Sequence, residues 1–298
     1  MKIEKFAAID IGSNAIRLLI TNVIIKKGFP TKFIKSSIVR VPIRLGQESF
    51  TIGEISSKNV SKIVQTIKAF KYIIKVNEVK NSLAFATSAL REANNSKEII
   101  KEVKKKTKLK IEIIDGKKEA KIISLNNIFE FLNKNRMFIY VDVGGGSTEF
   151  SIIVNGKRKN SKSFKIGTIR MINKITSEDV WNQIHIWIKS NIRQNSKIAL
   201  IGSGGNINKL FKIAGVLDFR PLTLIKLNSI YKSLIKMNYE QRIINFDLNP
   251  DRSDVIIPAA EIFLRALEWS ESSEIYVPKV GLADGMIRLL YKKHASYR

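Results

Sequence analysis

Two blocks of short apolar runs in this chain share one plan. The first reads FAAIDIGSN over residues 6–14 and the second FIYVDVGGGS over residues 138–147. In each, an apolar run ends in Asp, an aliphatic residue and a turn rich in Gly, Ser or both. A second apolar run follows, IRLLI at 16–20 and FSII at 150–153, then a turn (KKG or NGK) and more alternating sequence. The pattern predicts strand, loop, strand, turn, strand, occurring twice. Asp10 and Asp142 are 142 − 10 = 132 residues apart, a domain-sized offset. The simplest account is two domains of one design.

Helical periodicity fills the intervals. Over 57–76, Val60, Ile63, Val64, Ile67, Phe70 and Ile74 follow the spacing of a buried stripe. Residues 117–132 repeat it through Ala120, Ile123, Ile128, Phe131 and Leu132. Thr176 to Asp179 reads as a capping box opening a helix with Trp181, Ile184, Ile188 and Ile192. Ser253 reads as the cap of another, with Ile256, Ala260, Phe263 and Leu267 inside. Further strands are predicted at 82–86, 111–115, 198–202 and 274–277. Strands and helices alternate in the second half of each domain, which predicts α/β sheets with parallel components.

Composition narrows the chemistry. The 298 residues suffice for about two ordinary domains. The absence of cysteine excludes disulfides, thiolate metal sites and a cysteine nucleophile. Only two histidines occur, His185 and His294, far apart in sequence, so a histidine zinc site is not expected. No apolar run approaches the roughly 20 residues needed to span a bilayer. Asp10 interrupts the first apolar stretch too early for a secretory signal, so a cytoplasmic protein is expected. The net charge of +26, from 52 Lys plus Arg against 26 Asp plus Glu, favours anionic partners. Nucleic acid, an acidic membrane surface and phosphate polymers all fit it, and so does a solvated surface with no selected partner.

The loops carry the first candidate chemistry. A strand ending in Asp-x-Gly places a carboxylate at its carboxyl end, and the glycines let backbone approach a ligand closely. Successive N–H groups pointing into one concavity bind phosphate oxygens. The Asp, which would repel phosphate directly, suits a magnesium ion, usually held through water. Asp10-Ile-Gly-Ser-Asn and Asp142-Val-Gly-Gly-Gly-Ser-Thr-Glu thus read as two phosphate loops, each with its own acid. A third Gly-rich turn lies in IALIGSGGNINKL at 198–210, where plain helix capping serves equally well. Arg91 follows a strand that delivers Thr87 and Ser88 to its end, and an Arg fork binds phosphate bidentately. Glu119 falls in the first turn of a helix, a favourable place for an acid on dipole grounds alone. Lys117, Lys118 and Lys121 surround it, however, and an acid beside phosphates and lysines is placed to take a proton from water.

At these residues the sequence resembles the exopolyphosphatase/guanosine pentaphosphate phosphohydrolase family of the actin-like ATPase superfamily. The matching segments are AIDIGSNAIRLLI, FATSALREA, GKKEAKIISL, YVDVGGGSTEFSI, IGSGGNINKL, RSDVIIPAAEIFL and VGLADGMIRLL, in family order and across nearly the whole chain. The resemblance implies two ribonuclease-H-like (actin-like ATPase) α/β domains with an active-site cleft between them. They are expected at 1–123 plus a C-terminal helix about 283–298, and at 124–282. It implies that Glu119 is the catalytic acid that activates water, and that Asp142 and Glu149 are the magnesium-side carboxylates. Ser13, Asn14, Arg91 and the backbone of Gly144, Gly145, Gly146 and Ser147 are its implied phosphate contacts. The chain departs from the family pattern at Lys118, where Glu is frequent, and at Ala15, where Ser is frequent. It resembles the short, two-domain form.

The expected reaction is release of the terminal phosphate of inorganic polyphosphate by attack of water. Mg²⁺ or another divalent cation is expected near Asp10, Asp142 and Glu149. Guanosine pentaphosphate, losing its 5′ γ-phosphate, is the alternative substrate. A kinase of the same superfamily and a basic nucleic-acid-binding protein are the competing classes. Neither a helix-turn-helix, a zinc finger nor an aromatic RNA-binding motif supports the last. No membrane and no specific nucleic acid are expected as partners, and a homodimer is compatible with this reading.

Overall fold

The computed structural model describes residues 1–126, 136–192 and 196–295. The chain divides into two compact units, Met1–Asn126 with Leu282–Arg298, and Asn127–Gly281. In the first, β1 (Lys2–Ile11), β2 (Ala15–Ile25), β3 (Lys32–Pro42), β4 (Asn81–Ala86) and β5 (Glu112–Ile113) form one sheet, ordered β3-β2-β1-β4-β5. In the second, β6 (Met137–Val143), β7 (Thr148–Val154), β8 (Lys157–Phe164), β9 (Ile198–Ser203), β10 (Leu222–Thr223) and β11 (Glu274–Tyr276) form a sheet ordered β10-β11-β9-β6-β7-β8.

The repeat read from the sequence is therefore a repeat of topology. Each unit opens with an antiparallel three-stranded meander, β1-β2-β3 or β6-β7-β8. Each then adds strands parallel to the first, β4 and β5 in one and β9 in the other, through helical crossovers. Even the register repeats. Asp10 pairs with Arg17 and Asp142 with Glu149, seven residues on in both cases (17 − 10 = 7; 149 − 142 = 7). The turn after β7 is Asn155-Gly156, both at positive φ (52° and 71°), the left-handed pair that a two-residue hairpin prefers.

Apolar faces explain the layering. In the first unit Ile9, Ile11, Ile16, Leu18 and Ile20 pack with the stripe Val60, Ile63, Val64, Ile67 and Phe70 of helix Ser57–Val76. The helix Leu282–Ala295 returns to this unit and packs on β1, β2, β4 and helix Gly116–Ile123. Its Gly285 is required there, because a Cβ would fall on the carbonyl of Ile122. In the second unit Ile139, Val141, Phe150 and Ile152 pack with Ile184, Ile188, Leu210, Phe263 and Leu267.

Four local expectations are corrected. The strand expected at 111–115 shortens to Glu112–Ile113, because Asp115 is the cap of the next helix and accepts the Lys118 N–H at 2.7 Å. The helix expected over 117–132 is Gly116–Ile123, closed by a 3₁₀ turn at Ser124–Asn126. The remainder of that stripe, Ile128, Phe131 and Leu132, lies outside the described residues. No capping box forms at Thr176: the N-cap is Ser177, the helix is Glu178–Asn191, and no side-chain cap bond is made. That start places Asp179 one residue short of the third helical position a capping box needs. Ser253 does not cap helix Ile256–Trp269, whose N-cap is Val255. It ends the short helix Pro250–Ser253, and its hydroxyl donates to the Tyr239 carbonyl at 2.9 Å.

Candidate active site

In the first unit the candidate residues converge on the carboxyl ends of β1, β4 and β5. Asp10 is buried, and its carboxylate meets Arg17 of β2 at 3.6 Å. Burial raises its pKa above the ordinary carboxylate value, and the Arg17 guanidinium opposes that rise. Beyond Asp10 the Gly12 N–H donates to Ala15 O at 3.1 Å, closing a hairpin whose central residues are Ser13 and Asn14. The Ser13 carbonyl accepts Gly46 N–H, and the Asn14 carbonyl accepts Ile43 and Arg44 N–H. The loop's carbonyls are thus held from one side. Ser13 and Ser88 share a buried hydroxyl–hydroxyl hydrogen bond of 2.9 Å, which ties this loop to the end of β4.

Arg91 and Glu119 are brought together in the same unit. Helix Ser88–Glu92 starts one residue after β4 and carries Arg91 in its last turn. Helix Gly116–Ile123 presents Glu119 in its first turn, as expected, and Glu119 is 9% exposed. The Arg91 Nη1 donates to the Ile114 carbonyl at 2.8 Å and stands 4.0 Å from Glu119 Oε2. A charge only part-buried and fixed by a backbone carbonyl is a rigid anion contact. Of the three lysines around Glu119 in sequence, Lys118 engages Glu112 and lies over the Phe85 ring.

The second unit holds the other set. The Gly144 N–H donates to Ser147 O at 2.9 Å, so Gly145 and Gly146 occupy the places of Ser13 and Asn14. Their carbonyls are again taken from one side: Gly144 by Thr168 N–H, Gly145 by Ile169 and Arg170 N–H, and Gly146 by the Arg170 side chain. Among the described residues no hydrogen bond engages the N–H groups of Ser13, Gly145 or Gly146. None of these loop residues adopts a positive φ. The glycines serve close approach instead: a Cβ on Gly144 would lie 2.9 Å from Ser147 O.

Asp142 and Glu149 face each other directly across β6 and β7, where side chains share one face of the sheet with Cβ atoms about 5 Å apart. Glu149 is buried, and its Oε1 accepts from the Ser147 hydroxyl at 2.7 Å and the Ser163 hydroxyl at 2.9 Å. Two like charges in adjacent places call for a cation, and hard carboxylate oxygens suit magnesium. Among the described residues no group of three or more Asp, Glu, His or Cys is arranged around one point, so the pair would leave most of a coordination shell to water and substrate oxygens. Asp10, the third acid of the expected metal set, belongs to the other unit. The third Gly-rich turn abuts this pair: Gly204 has φ +108°, and a Cβ there would lie 3.3 Å from Asp142 Oδ1.

The sequence model of the Ppx/GppA phosphatase family matches residues 28–294. The chain belongs to that family. It is similar to the exopolyphosphatase 1 of Mycobacterium leprae, 24% identical over 95% of this chain and 88% of that one. It is also similar to a bifunctional 3-dehydroquinate synthase/phosphatase of Fusobacterium nucleatum, 28% identical over 88% of this chain but only 43% of that protein, so it spans under half of that relative. Among solved structures, the Ppx/GppA family member of Aquifex aeolicus superposes with a TM-score of 0.77 at 25% identity, covering 98% of this chain and 99% of that one. An exopolyphosphatase of Cytophaga hutchinsonii gives 0.82 at 23% identity, covering 98% of each, and shares the fold. This Ppx/GppA protein is a phosphatase with two domains of the actin-like ATPase fold. No described helix is long and apolar enough to cross a membrane.

Sequence reasoning missed four neighbours of the Ppx/GppA site residues. Arg17 sits against Asp10, Ser88 against Ser13, Ser163 against Glu149, and Arg170 under the second loop. Arg17 had a signal: it occupies, in the first repeat, the place Glu149 occupies in the second. The other three meet their partners only through long-range folding.

Proposed function

We propose that this Ppx/GppA phosphatase releases the terminal phosphate of inorganic polyphosphate by attack of water, with Glu119 as the acid that activates the water. The observation that carries this reading is the Arg91–Glu119 pair, a largely buried acid 4.0 Å from an Arg whose fork is fixed on a backbone carbonyl. The exopolyphosphatase relatives support the choice of polyphosphate.

In this reading Glu119 is the general base. It takes a proton from water as the water oxygen bonds to the terminal phosphorus, and the bridging P–O bond breaks. The leaving chain, one phosphate shorter, carries away the negative charge. Arg91 stabilises the charge that develops on the transferred group's oxygens. The N–H groups of the Ser13–Asn14 loop and of the Gly145–Ser147 loop each suit phosphate oxygens. Asp142 and Glu149 would hold a divalent cation, magnesium being the best match to their oxygens, and Asp10 is the acid at the corresponding place in the other unit. Bound there, the ion neutralises phosphate charge. The Ser147 and Ser163 hydroxyls orient the Glu149 carboxylate.

The test is a phosphate-release assay on purified protein with magnesium, comparing long polyphosphate, short polyphosphate, guanosine pentaphosphate and ATP. Polyphosphate should be hydrolysed with the highest kcat/KM. Preference for guanosine pentaphosphate would replace the substrate and keep the chemistry. Transfer of phosphate from ATP to a small acceptor would overturn the hydrolase reading.

A further inference from the structure

The second loop is held by a side chain to which no role has so far been assigned. We propose that Arg170 is a positioning residue that aims the N–H groups of the Gly145–Ser147 loop at a phosphate oxyanion. The proposal rests on the reading that this loop binds phosphate.

A peptide group is planar, so fixing a carbonyl fixes the N–H of the following residue in the opposite direction. The Gly144 carbonyl accepts Thr168 N–H at 3.0 Å, which aims the N–H of Gly145. The Gly145 carbonyl accepts Ile169 N–H at 2.9 Å and Arg170 N–H at 3.3 Å, which aims the N–H of Gly146. The Gly146 carbonyl accepts Arg170 Nε at 2.7 Å, which aims the N–H of Ser147. Three successive N–H groups are thereby turned to the side away from residues 168–170. Such a run of N–H groups is an anion-binding concavity.

Glycine peptides flip readily, because no Cβ restricts φ and ψ. A loop of three glycines therefore needs an external clamp. Backbone donors supply it for the first two carbonyls, and the Arg170 side chain supplies it for the third. Arg170 is only 7% exposed, so its charge lies buried directly beneath the loop. The neighbouring backbone is just as close: a Cβ on Gly167 would lie 2.5 Å from the carbonyl carbon and oxygen of Gly145. In the first loop the Ser13 and Asn14 carbonyls accept backbone N–H groups of Gly46, Ile43 and Arg44.

The test measures binding of inorganic phosphate to the full chain by calorimetry, beside kcat and KM on polyphosphate. Arg170→Gln should weaken phosphate binding about tenfold or more, the usual worth of a hydrogen bond to a charged group. Its kcat should fall along with kcat/KM, since the misaimed donors serve the transition state. Arg170→Lys keeps the charge without the Nε donor and should recover part of the loss. Gly167→Ala, which pushes the loop without touching charge, should weaken phosphate binding in the same direction. Circular dichroism and thermal melts identify folded variants; should Arg170→Gln not fold, Arg170→Lys and Gly167→Ala carry the test. Folded Arg170 variants with native phosphate affinity would overturn the proposal, as would a wild-type protein with no affinity for phosphate. Failure of polyphosphate as the substrate is read separately from kcat/KM and leaves the phosphate titration intact.

Discussion

Asp10 is buried, and desolvation of its carboxylate outweighs the help of Arg17. Its folded-state pKa therefore lies above the unfolded value. The folded protein binds that proton more tightly, which contributes stability at low pH that is lost as pH rises through the folded pKa. Asp10→Asn removes the ionisation and should raise the melting temperature at pH 8 in the presence of EDTA. The advantage over wild type should shrink as pH falls toward 4. An unchanged or widening advantage at low pH would mean that Asp10 is not the strained acid described. The same substitution should lower activity if Asp10 lies toward the cation, so stability and function oppose each other at one carboxylate.

At the scale of elements, each unit carries a hairpin of the same register with its carbonyls held from one side. That plan was legible because strand periodicity and the Asp-x-Gly signature are local. Helix Ser57–Val76 was legible for the same reason, and so was Glu119 in a first turn. Helix starts were less so: the caps are Ser177 and Val255, not Thr176 and Ser253, and neither makes a side-chain cap bond, so a hydroxyl near the start did not mark it. The clamp by residues 167–170 and the Ser163 bond to Glu149 were not legible, since they join residues 14 or more positions apart in sequence. One packing demand is equally hidden. Gly285 lies against the Ile122 backbone, and Gly285→Ala should cost about 1–3 kcal/mol or more, the range for overpacking. Urea unfolding checks this; a variant with native stability would show that the helix Leu282–Ala295 slides freely on helix Gly116–Ile123.

Across the whole molecule the net charge of +26 is the dominant field. If it serves a phosphate polymer, polyphosphate affinity should fall steeply and linearly on a log–log plot against salt, because bound polyanions release counterions. Affinity for single phosphate should vary far less. A flat polyphosphate response would assign the excess lysines to solvated surface. Fold and family leave the chemical centre to be tested at one side chain. The measurement is the rate of phosphate release from polyphosphate by purified Glu119→Gln at saturating magnesium, with polyphosphate binding followed in parallel. Binding should persist while turnover falls about 10²–10⁴-fold, the usual contribution of a general base; turnover at the native rate would contradict the assignment of Glu119 and the mechanism built on it.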